Sequence, residues 1–419
     1  MATNENEKPW ENNEEIKVFQ EYIKIPTVHP NINYEPCMEF LKRQAQKLEL
    51  PYQTYYPVNE HNPVLVITWE GTDPRTTSIM LNSYMDAESL PLEQPQYENF
   101  AADIDANGNI YGHGTQSTKS IGLLYLAAIR ALKQKEETFK RTFHVVFSPD
   151  KENGGAAGLR EFVKSDDFKA LRIGFCLDEA PSSPEQRIPI FSSERCFWRV
   201  SMEIPGPPSH SSALVKHTAV QKLQFMLNRL YEWRQKNLDC LVKYPHAKLG
   251  EVSSLNVTRI GGNTPEGAMV PTTLTASFDV YFTPDENQDK FEASLERWRL
   301  QEDGEIQLTY EHKSTVVPAT RTDKTNLFWM ALQAALTVLH LKSDTQINPR
   351  RTNANYLREA DIPVLGFSAI NNTPPRADNP QEYVSAQTYL NAIGIYQQVL
   401  TKLGNASKCY CGYVPPPTC

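Results

Sequence analysis

The chain has 419 residues, of which 40% are hydrophobic and 22% are charged, and its formal net charge is −8. This length favours two domains over a single hydrophobic core, and the composition is that of a globular protein. The acidic balance argues against nucleic-acid binding, and the lack of an apolar leader or a membrane-length apolar run predicts a cytoplasmic protein without a membrane partner.

The first part of the chain alternates between helix and strand patterns. Its apolar residues first recur at helical spacing and then form short runs typical of buried strands. This alternation is typical of a mostly parallel sheet covered by helices. The predicted elements are a helix over 16–23 that ends before Pro26, strands over 64–69, 79–82 and 143–147, and a buried helix over 121–132.

The pattern changes near Ser192 and returns after His312. Between them, the strict alternation of apolar residues over 274–282 predicts a half-exposed antiparallel strand. The other elements predicted for this middle part are strands over 196–204 and 306–310 and helices over 220–230 and 291–300. After it come a helix over 327–341, a strand over 363–367 and a helix over 390–400. An α+β unit of the ferredoxin-like type is therefore predicted inside an α/β domain.

Several short segments lie at the predicted ends of strands, where open α/β sheets place their active sites. They are N-S-Y-M-D at 82–86, Y-G-H-G-T-Q-S-T-K at 111–119, P-D-K-E-N-G-G at 149–155, L-D-E at 177–179, G-P-P-S-H-S at 206–211, A-S-F-D at 276–279 and L-G-F-S at 365–368. In this order they resemble the site segments of the aminoacylase-1 branch of the M20 zinc hydrolases, over about residues 14–403.

The resemblance implies a zinc-exopeptidase-like α/β domain, with helices on both faces of its sheet, that hydrolyses N-acyl amino acids with two zinc ions. The changes of pattern near Ser192 and His312 place this discontinuous domain at 1–194 plus 313–406, and the inserted ferredoxin-like lid or dimerisation domain at 195–312. The remaining residues, 407–419, are predicted to be a flexible tail. A metal-binding role for Cys409, Cys411 and Cys419 in this tail is disfavoured, because C-x-C alone is a weak signal.

The metal ligands that the family carries are only partly present. Asp86 is retained, but Tyr84 stands at the first histidine position, and neutral tyrosine is a poor zinc ligand. Ser117 stands at the bridging aspartate, and Glu152 and Glu179 match two ligands. The loop 373–382 holds no histidine, and Pro380 occupies the last ligand position.

The catalytic and substrate-binding positions are altered as well. Lys151 stands where the family has its general base, and a protonated lysine cannot accept a proton from water. Asn355 stands where the family has the arginine that contacts the substrate carboxylate, and Ala268 falls near the position of the family's asparagine. His210 remains, the lid residue that related dimers present to the partner subunit's site.

These substitutions lead to the hypothesis that Lys151, together with Arg376, replaces the lost metal charge by pairing with Asp86, Glu152 and Glu179. Unpaired buried carboxylates would otherwise cost several kcal/mol each. We therefore expect no catalytic residues and no cofactor. The chain is predicted to be a pseudoenzyme that acts as a binding, scaffold or regulatory protein with an unidentified small-molecule ligand. A homodimer through 195–312 is expected, or a heterodimer that completes the site of an active relative.

The alternative is an N-acyl-L-amino-acid amidohydrolase whose remodelled zinc site uses Glu152 and Glu179, with Tyr84 or His113. For other residues a structural role is favoured. His113 is predicted to be a hydrogen-bonded structural histidine, and His144 a residue of the core or of the sheet surface. The pair Gly154 and Gly155 is predicted to allow a tight turn, and a relic His210 is as plausible as a working one.

Overall fold

The structure is a computed structural model that describes residues 8, 10–87, 100–116, 119–263, 267–375 and 381–407. The chain divides into two compact units. Unit 1 comprises residues 1–192, 320–345 and 353–419, and unit 2 comprises residues 193–319 and 346–352. Within the described residues, no helix is both long and apolar enough to cross a bilayer.

The helices and strands follow one another in chain order. The helices are α1 Glu14–Ile23, α2 Glu35–Lys47, α3 Lys119–Gln134, α4 Leu159–Lys164, α5 Asp166–Ala170, α6 Ala219–Lys243, α7 Gln288–Gln301, α8 Leu327–Val338, α9 Ala354–Glu359 and α10 Ala386–Gly404. The strands are β1 Tyr52–Tyr55, β2 Val64–Trp69, β3 Ser78–Tyr84, β4 Asn109–Tyr111, β5 Phe143–Ser148, β6 Ile173–Asp178, β7 Ile188–Glu194, β8 Cys196–Pro205, β9 Ser254–Gly262, β10 Thr273–Phe282, β11 Gln307–Lys313, β12 Ser343–Asn348, β13 Val364–Phe367 and β14 Tyr383–Ser385.

Unit 1 is organised around a sheet with the strand order β1-β2-β5-β3-β6-β13-β7-β12. Its centre is parallel, since β3 pairs in parallel with β5 and β6, and β6 with β13. The strands β2 and β7 pair antiparallel at the flanks. The carboxyl ends of the central strands therefore lie at one edge of the sheet.

Both faces of this sheet are covered, because successive side chains of a strand point to opposite faces. In β3, Ile79 and Leu81 belong to a core with α1, α3, α8 and α10, whereas Met80 belongs to a second core with α4 and α9. Each of these three side chains is fully buried. The near-continuous apolar strands found in the sequence reflect this two-sided burial.

Unit 2 is an antiparallel sheet with the order β11-β8-β10-β9 and two helices, α6 and α7. In β10, Phe278, Val280 and Phe282 point into the core, whereas Asp279 and Tyr281 lie on the opposite face. The alternation in the sequence thus marks the one buried face of the strand. The predicted fold class, a mostly parallel α/β sheet interrupted by a ferredoxin-like α+β unit, is confirmed.

Some local predictions were wrong. The apolar spacing over 220–230 predicts that Val220 shares a buried helix face with Leu223 and Leu230, but Val220 is 50% exposed and Met226 is buried instead. Residues 346–352 pack with unit 2, because Arg195 donates its backbone N–H to Asn348 and its side chain to Pro349. The tail 408–419 lies outside the described residues.

Candidate active site

Four of the predicted site segments, 82–86, 149–155, 177–179 and 365–368, lie at the carboxyl edge of the unit 1 sheet. Tyr84 ends β3 opposite Ser148, the last residue of β5, and Asp178 ends β6 two strands away from β5. The residues that follow these strand ends, among them Lys151 and Glu179, are brought to the same edge. This is the usual position of a binding site in an open α/β sheet.

A strained turn after β5 fixes the direction of Lys151 and Glu152. Asp150, Gly154 and Gly155 have φ values of 68°, 91° and 71°, in the left-handed region. The Gly155 N–H donates to the Asp150 carbonyl over 2.6 Å, and the Asp150 carboxylate accepts from the Ala157 N–H. The prediction of a tight turn at the two glycines is confirmed.

Lys151 forms ion pairs with both neighbouring glutamates. Its Nζ lies 2.5 Å from Glu179 Oε1 and 3.3 Å from Glu152 Oε1. The side chains of Lys151 and Glu179 are only 20% and 7% exposed. Burial lowers the pKa of Lys151, but the two carboxylates outweigh burial and hold this pKa above its ordinary value. The structure therefore contains the predicted ion pairs of Lys151 with Glu152 and Glu179, whereas Asp86 pairs with His29 and Arg376 lies outside the described residues.

Glu179 itself is in a poorly solvated environment. Burial raises its pKa to about 7, although the charge of Lys151 acts in the opposite direction. Its neighbour Asp178 is buried too, and burial raises the pKa of that carboxyl group. Asp178 accepts a hydrogen bond from Asn82 Nδ2 over 2.8 Å, and Tyr84 Oη lies 3.5 Å from Asp178 Oδ2. Tyr84 is thus packed beside a carboxylate at the strand end.

Asp86 is paired with a histidine that the sequence interpretation missed. Its Oδ2 lies 3.3 Å from His29 Nε2 and accepts the Glu152 N–H over 2.9 Å. Asn153 Nδ2 lies 3.0 Å from His29 Nδ1. The hydrogen bond to Asp86 raises the pKa of His29, against the effect of burial. No sequence motif surrounds His29. Its place in the site is seen only from its contact with Asp86, which lies 57 positions away in the sequence.

A second polar cluster joins the glycine-rich turn at 112–116 to the segment before β14. The Glu382 carboxylate accepts hydrogen bonds from the N–H groups of Gly114 and Gln116, over 3.0 and 2.9 Å. His113 Nδ1 lies 3.9 Å from the same carboxylate, and its ring packs edge-on against Phe100. The prediction that His113 is hydrogen-bonded was wrong: neither ring nitrogen has a hydrogen-bond partner among the described residues.

The other candidate residues belong to other elements or lie outside the described residues. Asn355 is buried in α9 of unit 1, and His210 is an exposed residue of unit 2 with Nδ1 2.8 Å from Ser212 Oγ. Ser117, Arg376 and Pro380 lie outside the described residues. His144 is a buried residue of β5 with Nδ1 3.0 Å from Thr68 Oγ1, which confirms its structural placement.

The donor groups at this edge do not fit a dinuclear metal site. Such a site requires carboxylates and neutral imidazoles around the ions. Here the Lys151 ammonium group occupies the space between Glu152 and Glu179 and would repel a dication. Across the described part of the chain, no three His, Cys, Asp or Glu side chains are arranged to hold a metal ion.

Similarity to known proteins extends over most of the chain. Residues 80–402 match the model of peptidase family M20/M25/M40. Mouse aminoacylase-1 is 36% identical over 391 residues, covering 93% of this chain and 95% of the mouse protein. The aminoacylase-1 of Dictyostelium discoideum is 32% identical over 406 residues, covering 94% and 98% of the two chains.

Solved structures share the fold at lower sequence identity. An M20 family metallo-carboxypeptidase from Sulfolobus solfataricus superposes with a TM-score of 0.72 at 16% identity, covering 94% of this chain and 99% of that chain. A dinuclear metal-binding M20 peptidase from Bacillus subtilis has a TM-score of 0.66 at 13% identity, with 96% and 100% covered. The match over residues 80–402 and the 36% identity to mouse aminoacylase-1 confirm the predicted family, and this chain belongs to peptidase family M20/M25/M40.

Proposed function

We propose that this chain is a non-catalytic member of its family, a binding or regulatory protein in which an internal ion pair replaces the dinuclear metal. The observation that carries the proposal is the position of Lys151 Nζ, 2.5 Å from Glu179 Oε1 and 3.3 Å from Glu152 Oε1. A positive charge of the protein itself thereby pairs with both carboxylates that match metal ligands. It stands where a metal ion would otherwise offset their negative charge.

The same lysine removes the general base. Hydrolysis of an amide requires a group that accepts a proton from the attacking water. The raised pKa of Lys151 keeps its ammonium group protonated at neutral pH, so Lys151 cannot take this part. The ligand of the site is expected to be a small molecule that binds without being cleaved.

The proposal is tested by measuring metal content and activity on one preparation. We expect no stoichiometric zinc after expression in zinc-supplemented medium and purification without chelator, and no turnover of N-acetyl-L-methionine. Mouse aminoacylase-1, prepared in parallel, is the positive control. Near-stoichiometric zinc together with turnover would overturn the proposal.

A second candidate function is favoured by the relatives named aminoacylase-1, which are up to 36% identical over most of the chain. In this alternative the chain is an N-acyl-L-amino-acid amidohydrolase with a remodelled zinc site that includes Glu152 and Glu179. It predicts that a chelator abolishes turnover and that Glu152→Ala does the same, whereas Glu137→Ala on the exposed surface does not. Turnover that survives both chelation and Glu152→Ala would exclude it.

We further propose that the protein is cytoplasmic and forms a homodimer through residues 195–312. Two features of unit 2 support a dimer. In the described residues β9 has a strand partner on one side only, and α6 exposes Leu238 and Val242, which are 38% and 72% accessible. Light scattering after size-exclusion chromatography should give twice the chain mass of 47.6 kDa. A monomer would exclude the homodimer.

The alternative partner is an active relative whose site His210 would complete. The exposed position of His210 in unit 2 is compatible with this role. Co-expression with an active aminoacylase-1 should then yield a mixed dimer whose rate changes on His210→Ala. Recovery of self-associated chains alone would argue against a regulatory heterodimer.

A further inference from the structure

A buried arginine in unit 2 has no acidic partner. Arg195 lies between β7 and β8 and is only 4% exposed. Its Nε donates to the Pro349 carbonyl over 2.8 Å, and its Nη1 donates to the Val252 carbonyl and to Ser254 Oγ, both over 2.9 Å. These acceptors are all neutral. Among the described residues, no carboxylate lies within ion-pair distance of Arg195.

One nitrogen of this guanidinium group is left without a hydrogen bond. Nη2 has no partner among the described residues, although Nε and Nη1 are both engaged. The group lies over an aromatic ring, with Cζ 5.0 Å from the centroid of Tyr281. The Tyr281 ring is in turn 4.9 Å from that of Phe197, at 36°. An unpaired donor is therefore held beside an aromatic surface.

Three arginine side chains act electrostatically on the Tyr281 hydroxyl group. Burial and Asp279 raise the pKa of its hydroxyl group, and the charges of Arg195, Arg199 and Arg350 oppose them. The nearby acid Asp279 is already engaged, because it accepts two hydrogen bonds from Arg199 over 2.8 Å each. The Asp279 carboxylate is therefore not available to pair with Arg195.

A buried cation is costly unless an anion pairs with it. We propose that unit 2 binds a small ligand carrying a carboxylate or phosphate, whose oxyanion accepts a hydrogen bond from Arg195 Nη2. An aromatic body on this ligand would pack against Tyr281. The charge of Arg350, which acts on the Tyr281 hydroxyl group, adds to the positive potential around it. This inference does not depend on whether unit 1 is catalytic.

The site is tested by thermal unfolding of the full chain with sodium benzoate, acetate, phosphate or chloride at equal ionic strength, and with neutral benzamide. A ligand that binds only the folded state raises the unfolding temperature in a saturable way. We expect benzoate to do so more strongly than acetate because of the ring contact. A saturable rise with phosphate would support the site and identify a phosphate ester as its source.

Variants of unit 2 assign the effect to this site. Arg195→Met should abolish the benzoate response, and Arg350→Gln should weaken benzoate binding by about tenfold. Arg297→Gln removes the same charge from an exposed position of α7 and should leave binding unchanged. If Arg195→Met does not fold, Arg350→Gln and Tyr281→Leu still test the site. Equal responses to benzamide and benzoate, or equal losses in Arg350→Gln and Arg297→Gln, would overturn the proposal.

Discussion

Replacing Lys151 by methionine removes the ammonium group from between Glu179 and Glu152 while keeping a side chain of similar length. At the observed separations of 2.5 and 3.3 Å, the two attractions amount to about 7 and about 5 kcal/mol at an effective dielectric constant of about 20. Desolvation offsets most of this energy. Breaking a buried pair from one side costs about 3–5 kcal/mol, and we expect Lys151→Met to lower the free energy of unfolding by this amount.

The loss should depend on pH in a defined direction. The pKa of Glu179 is raised from 4.5 to about 7, so its protonation stabilises the folded state. This contribution is complete below pH 4.5 and is lost as the pH rises through 7. Lys151 favours the charged form of Glu179, so removing Lys151 should raise the pKa of Glu179 further. The destabilisation by Lys151→Met should therefore be larger at about pH 8 than at about pH 5.5.

The assay is urea unfolding of the wild type, Lys151→Met and the double variant Lys151→Met/Glu179→Gln. The double variant should recover about 2–3 kcal/mol, since no uncompensated charge remains on Glu179. The control Lys164→Met breaks an exposed pair with Glu161 and should cost no more than about 0.5 kcal/mol. A loss below about 1 kcal/mol for Lys151→Met, or no recovery in the double variant, would refute the reasoning.

Two further predictions concern the scaffold of unit 1. Burial lowers the pKa of His144 to about 4, so its contribution to the free energy of unfolding should rise as the pH increases from 4 to 6.5. The variant His144→Gln should lose this rise when urea unfolding is measured across the same pH range. Gly155→Ala should destabilise the fold by more than about 1 kcal/mol, because φ is 71° and the new Cβ would lie 2.3 Å from Asn353 Nδ2. The matched change Gly394→Ala in α10 meets no atom within 4 Å and should stabilise by about 0.5–1 kcal/mol, and thermal unfolding compares the two variants.

Elements with strong apolar patterns were predictable because burial imposes a period on the sequence. The alternation over 274–282 corresponds to β10, which buries one face, and the apolar run at 121–132 lies within α3. One of the elements that escaped prediction is polar. The strand β12 reads S-D-T-Q-I-N, which has no apolar alternation, and it was missed. Its place in the sheet depends on neighbouring strands rather than on its own composition.

At the candidate site, the sequence by itself determined which charges are present. The order of the motifs placed Lys151, Glu152 and Glu179 at strand ends, and their ion pair followed from the need to compensate buried carboxylates. The tertiary structure alone decided that Asp86 pairs with His29 and that Arg195 meets only neutral acceptors. The residues in these pairs are far apart in the sequence. They are brought together by turns that have no regular pattern of apolar residues, such as the turn at Asp150 with its left-handed backbone. Local patterns encode which side chains leave water, whereas the path of the backbone decides which polar groups meet there.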